Sequence, residues 1–274
     1  MVITLFMNSE STNEGNPIAG EAPEGIPAAT IIIFRNSPDG GLPEILMTVR
    51  SRNMAFAGGM AVFPGGRVDP SDFALAAEVG GEGDVEEIAH QIAAIRETLE
   101  ETGLALGLAG DIDAQKADQA RRMLEEQNEL APVLAKFGWT VDLAQITPFA
   151  RWYPKNERIP RVYDTRFYLA DLGTGEVEVS TDNSENTRLF WVSAQGALDM
   201  ADEGEIKLIF PTRRNLERLA LFASFAEARK QAEDIPIKTI IPQIDTTGEK
   251  PMLTILEDAG YPVTSELLET VARA

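Results

Sequence analysis

Cysteine is absent from the 274-residue chain, which excludes disulfides, thiolate metal sites and a cysteine nucleophile. That absence fits a reducing compartment. Histidine occurs once, as His90, so a metal site built from several imidazoles is excluded and a Ser-His-Asp triad is disfavoured. Basic residues are scarce: 24 Lys and Arg stand against 44 Asp and Glu, for a formal net charge of −20. Such a surface repels nucleic-acid backbones and anionic membranes, so neither is expected as a partner. A phosphate-bearing substrate would have to be met by a local basic island or by metal ions. No apolar run approaches the roughly 20 residues that cross a bilayer. The acidic N-terminus lacks the basic region of a secretion signal, and the final ETVARA carries no recognised address. The expectation is a soluble, cytoplasmic protein.

A hydrophobic content of 44% is enough for a packed core. Residues 1–26 mix Ser, Asn, Gly, Glu and Pro without periodicity and read as a flexible leader. AATIIIFRN is a dense β-branched run and the first strand, followed by EILMTVRS and by MAVFPGG, which ends in a tight turn. FALAAEV is a short helical stretch, and Asp84 with Glu87 has the spacing of a capping box that starts a longer helix. Gly103 is placed to end it. DIDAQKADQARRMLEEQNELAPVLAKFG reads as helix interrupted at Pro132. ITPFARWYP, YDTRFYLADL and RLFWVSA read as strands, then ALDMADEGE and PTRRNLERLALFASFAEARKQAED as helices, the second a single long one. The tail from Ile237 holds one or two short strands. This order of elements gives a mixed α/β or α+β class.

One stretch is at odds with simple helix chemistry. IRETLEETGL places Glu97, Glu100 and Glu101 within five positions, and like charges a turn apart repel by a few tenths of a kcal/mol per pair. On a helical wheel Ile88, Ile92, Ile95 and Leu99 share one stripe, while the three glutamates lie around the opposite side with Ala93 and Ala94 beside them. The carboxylates are therefore expected to point together away from the core. They form either a solvated acidic face or a site for a hard cation such as Mg²⁺ or Mn²⁺, which turns repulsion into coordination. Arg96 precedes the cluster and is able to brace one carboxylate from the side. His90 falls on the carboxylate side of the wheel, where a lone histidine reads as a surface residue.

Arg96, Glu97, Glu100, Glu101, Gly103 and Leu104 together resemble the core of a Nudix box, in which a glycine, five residues, a glutamate and seven residues precede Arg-Glu-U-x-Glu-Glu-x-Gly-U, with U apolar. Gly66 resembles the opening glycine. Gly66 and Arg96 stand 30 positions apart where the pattern has 14, so about 16 residues are inserted. The position eight before Arg96 is Ile88 rather than glutamate, and the first U is Thr98. Upstream, LMTVRSRNMAFAGGMAVFPGG is similar to the coenzyme A signature of certain Nudix hydrolases: Leu46, Thr48, Arg50, Ser51, Gly59, Phe63, Pro64, Gly65 and Gly66 fall in register. Met47 departs mildly from it, and Ala55 stands where the signature has its second arginine. The inserted connector, WVSAQGAL and PTRRNLERLA are similar to the larger acyl-coenzyme A diphosphatase branch.

The resemblance implies an α+β fold, a mixed sheet sandwiched between helices, formed by residues 27–274. It implies an insertion within the box (about 70–86), a helical insertion (about 111–138) and a helical C-terminal extension (about 211–274). It implies hydrolysis of a nucleoside diphosphate linked to another group, with Mg²⁺ or Mn²⁺ held by Glu97, Glu100, Glu101 and the carbonyl of Gly66. Arg96 orients Glu97 or Glu101, and the general base is Glu185, Glu97 or Glu101. Arg50, Arg52, Gly58, Gly59 and Gly65 from the upstream signature, with Arg161, are expected at the substrate. Arg161 belongs to residues 151–166, which hold five basic and two acidic residues and offer Trp152, Tyr153 and Tyr163 to stack an adenine. Asp164 reads as structural. Coenzyme A or its acyl esters are the leading substrates; ADP-ribose or a dinucleotide such as NADH, and a catalytically silent binding module, are the alternatives. Homodimers are compatible with the resemblance.

Overall fold

A computed structural model describes residues 25–51, 57–155, 162–173 and 186–271. β1 (Ile26–Arg35) spans ten residues that include most of the β-branched run, and it is buried on both sides: Ile31 and Ile33 face one apolar cluster, Ile32 and Phe34 the other. A strand covered on both faces has no need of polar alternation, which is why the sequence there is continuously apolar. β1 lies parallel to β8 (Tyr163–Asp171) and antiparallel to β2 (Glu44–Arg50). β8 continues to β7 (Ile146–Trp152) and the short β10 (Thr239–Ile240), while β9 (Asn186–Ser193) runs along the far side of β2.

The expected strand MAVFPGG is divided in two. β3 (Ala61–Val62) pairs with β2, and β4 (Gly65–Arg67) pairs with β1, setting Thr30 opposite Gly65 and Ala29 opposite Gly66. Phe63 and Pro64 carry the chain from one partner to the other. Gly65 makes the crossing at φ 151°, where an added Cβ would run into the Ala29 carbonyl oxygen.

On one face of the sheet lies α2 (Val85–Thr102), flanked by α1 (Pro70–Val79), α3 (Ala114–Gln127) and α4 (Leu130–Phe137), while the short β5 (Leu108–Ala109) and β6 (Thr140–Val141) pair with each other in a ladder of their own. On the other lie α5 (Ala194–Asp202), α6 (Phe210–Leu219) and α7 (Phe225–Asp234). The molecule is the layered mixed-sheet α+β arrangement expected above.

Several local expectations are corrected. The Asp84 side chain accepts from the Glu86 amide, but Glu87 does not close the capping box, because it is drawn to Arg166 and Tyr168 on β8. The break between α3 and α4 falls at Asn128, in the left-handed region at φ 55°, and not at Pro132. Pro132 sits in the first turn of α4, where no intrahelical amide bond is lost. The long C-terminal helix is two helices: α6 ends at Ala220 and Ser224 caps α7. The bend brings Phe225 edge-on to Phe34, with ring centroids 5.5 Å apart. The tail holds more strands than the one or two expected. Beyond β10, β11 (Gln243–Asp245), β12 (Met252–Thr254) and β13 (Ser265–Leu267) form a separate antiparallel sheet, followed by one turn, α8 (Leu268–Val271). Among the described residues no helix is long and apolar enough to cross a membrane.

Candidate active site

α2 crosses the sheet, with its first turn over β8 and its last against β4. Gly103 ends it at φ 76°, as its position in the sequence predicts. The glutamate face is partly covered: Glu101 is buried, while Glu97 and Glu100 are half-buried. Ala93 and Ala94 are fully buried, and Glu101 is only 4% exposed, because β4 and the flanking helices cover the side of α2 that the wheel left open. His90 is likewise buried, at 2% exposure, with Nδ1 2.7 Å from the Glu86 carbonyl oxygen. Burial, the largest influence, holds its pKa below the ordinary value. Thr98, at an apolar position of the pattern, fits there because its hydroxyl donates to the Ala94 carbonyl at 2.6 Å.

Arg96 is the hub. Its Nε and Nη2 each donate to the Asp72 carboxylate at 3.0 Å, Nη2 also donates to the Arg67 carbonyl at 2.9 Å, and Nη1 donates to Glu97 Oε1 at 2.8 Å. Glu100 Oε2 lies 3.7 Å from the same Nη1. Arg96 thus braces Glu97, and its carboxylate neighbours hold its pKa above the ordinary value against the opposing effect of burial. Asp72 is missed by counting back from Arg96, which meets Ile88, a core residue. Counting forward from Gly66, the sixth position is Asp72, so a carboxylate does occupy the glutamate position of the pattern and the inserted residues follow it. α1 carries this carboxylate to Arg96 across 24 positions of sequence.

Glu97 is pressed against the turn. A Cβ added at Gly66 would collide with its carboxylate, so only glycine allows this approach. Packed in this way, with Glu101 and Glu100 near, Glu97 has its pKa pushed up to about 8, burial being the main cause and Arg96 acting against it. Glu101 is held differently. Its Oε2 accepts from the Gly65 amide and its Oε1 from Asn186 Nδ2, both at 3.0 Å. Beneath it, Arg121 of α3 donates to the last carbonyls of α2, Glu100 O at 2.8 Å and Glu101 O at 3.3 Å. There a cation offsets the negative end of the helix dipole. Asn128 ties the α3–α4 junction to Asp69 at 3.0 Å.

The substrate candidates divide. Arg50 stands opposite Asn186 in the β2–β9 ladder, and its loop is closed by the Gly59 amide donating to the Arg50 carbonyl at 3.0 Å, with Gly58 adjacent. Arg52, Ala55, Arg161 and Glu185 lie outside the described residues. Within the basic stretch, Arg151 is paired with Asp164 at 2.6 Å, and Arg166 with Glu86 and Glu87. The expectation that Trp152 stacks an adenine is overturned. Its ring is 1% exposed, lies edge-on to Phe210 and Tyr261, and donates its N–H to the Tyr261 hydroxyl at 2.9 Å.

Among the described residues no three acidic or histidine side chains are gathered into a ready coordination shell, since Arg96, Gly65 and Asn186 engage carboxylates of the cluster. The donors nonetheless fit a hard divalent ion. Three carboxylates share one end of a helix, the proton affinity of Glu97 is raised partly by its own neighbours, and the backbone at Gly66 approaches without a side chain in the way.

Comparison with known proteins adds two relatives and a domain. The NUDIX domain pattern matches residues 26–210. The acyl-coenzyme A diphosphatase NUDT19 of Gallus gallus is 26% identical over 268 residues, spanning 76% of this chain and 71% of that protein. The crystal structure of a NUDIX hydrolase from Alicyclobacillus acidocaldarius is similar with a TM-score of 0.63 at 25% identity, covering 76% of this chain and 96% of that one.

Proposed function

Because the chain belongs to the Nudix family and is an enzyme of that type, we propose that it hydrolyses the pyrophosphate bond of coenzyme A or acyl-coenzyme A, yielding 3′,5′-ADP and the (acyl-)phosphopantetheine. The observation that carries this reading is the constellation at the end of α2: Glu97 braced by Arg96 against Gly66, and Glu101 held from Gly65 and Asn186. In this reading Glu97, Glu100, Glu101 and the Gly66 carbonyl hold Mg²⁺ or Mn²⁺. The ion, when bound, neutralises phosphate charge and lowers the pKa of water. The protein's own part is orientation. Arg96 fixes Glu97, the Gly65 amide and Asn186 fix Glu101, and Arg121 fixes the backbone between them. Glu97, Glu101 and Glu185 are the candidates to accept the proton of the attacking water as the P–O bond of the bridge breaks.

The coenzyme A assignment is supported by the upstream signature, with Arg50 beside Asn186, and by the similarity to the Gallus gallus protein. Arg50, Arg52, Gly58, Gly59 and Arg161 are proposed at the substrate, and the proposed location is cytoplasmic, with a homodimer as the assembly to test. Ala55, in the place of a signature arginine, favours a second reading in which ADP-ribose or NADH is the substrate. A panel of coenzyme A, acyl-coenzyme A, ADP-ribose and NADH with Mg²⁺ or Mn²⁺, followed by product identification, separates the two. Cleavage of none of them would overturn both substrate readings.

A further inference from the structure

Asn186 has no place in the motifs that point to this site, yet it is the side chain that β9 contributes to it. It opens the strand, is 2% exposed, and sits opposite Arg50 in the β2–β9 ladder. Its carboxamide nitrogen donates to Glu101 Oε1 at 3.0 Å while the Gly65 amide donates to Oε2 at 3.0 Å, so both oxygens of Glu101 are oriented by donors on different strands. Both of these donors are neutral, whereas Arg96 reaches Glu97 with a guanidinium at 2.8 Å. A neutral amide donor directs the lone pairs of a carboxylate without adding a charge of its own.

We infer that Asn186 is the positioning residue of Glu101, setting the orientation in which that carboxylate takes a divalent cation. The inference rests on the metal-binding reading given above. It also gives β9 a role beyond pairing with β2. The strand begins at the residue that touches Glu101, so the register of β9 on β2, which shifts between Val49 and Arg50, is tied to the geometry of the acidic site.

The test is Mn²⁺ binding to the full chain, measured by calorimetry and by loss of the free-ion electron paramagnetic resonance signal, for wild type, Asn186→Leu, Asn186→Ser and Glu101→Gln. Asn186→Leu keeps the buried volume and removes the donor; Asn186→Ser is the second variant should the first fail to fold. Outer-shell partners of metal ligands are worth about 10–100-fold in affinity, so both Asn186 variants should bind Mn²⁺ about 10–100-fold more weakly. Melting temperature checks that each is folded. With substrate, excess Mn²⁺ should restore kcat while KM for the nucleotide stays near wild type. If the Asn186 variants bind Mn²⁺ as wild type does while Glu101→Gln is impaired, the positioning role is overturned and the metal site stands. If wild type itself binds no Mn²⁺, the metal reading fails first, and the two failures are thereby distinguished.

Discussion

Arg96 and Asp72 meet through two hydrogen bonds of 3.0 Å although 24 positions separate them, and each side chain is 1% exposed. The pair joins α1 to the helix that bears the glutamates. A buried ion pair of this kind gives little net stability when intact, but removing one partner leaves an uncompensated charge. Asp72→Ala is therefore expected to cost about 3–5 kcal/mol and to release Arg96, with Glu97 following it. Urea unfolding measures the first effect. A loss below about 1 kcal/mol would mean that water or another carboxylate satisfies Arg96.

Glu97 links the site to pH. Its pKa is raised from the ordinary 4.5 to about 8, so in the metal-free protein its contribution to stability is fully present below about 4.5 and is lost as pH rises through about 8. In a chelator, the melting temperature should fall across this window more steeply for wild type than for Glu97→Gln. Added Mn²⁺ should raise it more at the alkaline end, where the carboxylate is ionised. Parallel profiles for the two proteins would remove Glu97 as the source.

Gly66→Ala tests the approach of backbone to carboxylate. The new Cβ meets the Glu97 carboxylate, so either β4 shifts or Glu97 leaves Arg96. Turnover is expected to fall about 100-fold or more, since displacements near 1 Å cost that much in a positioned site, with far-ultraviolet dichroism unchanged. Near-normal kcat would show that the site tolerates the shift.

Glu100→Gln and Glu101→Gln should each lower turnover by about two orders of magnitude or more while leaving the fold intact, because each removes charge from the proposed cation site. Circular dichroism and steady-state kinetics with the substrate panel check this. Unchanged kinetics in either variant would strike that residue from the ligand set.

Trp152→Phe addresses a residue whose expected role the structure reversed. The indole N–H donates to Tyr261, whose hydroxyl donates onward to Asn215 Oδ1 at 2.7 Å. The Tyr261 pKa is pushed up to about 12, mainly by burial. The substitution breaks this chain, so stability should drop by about 1–3 kcal/mol while KM for a nucleotide substrate is unchanged. A large rise in KM at constant stability would restore the stacking role.

Much of this protein is legible in one dimension. The β-branched run at 28–34 reads as a strand, Gly103 could end a helix at no steric cost, and three glutamates beside Arg96 pointed to the chemistry. These features depend on residues within a turn or a strand of one another, and local backbone physics acts at that range. The tertiary structure decided everything that depends on which distant surface covers which. It buried His90 and Glu101 on the acidic side of α2, placed Asp72 on Arg96 and Asn186 on Glu101, and withdrew Trp152 into a second core. A helical wheel gives directions around one axis but holds no information about what stands in those directions. Burial, hydrogen-bond partners and hence proton affinity follow from those neighbours.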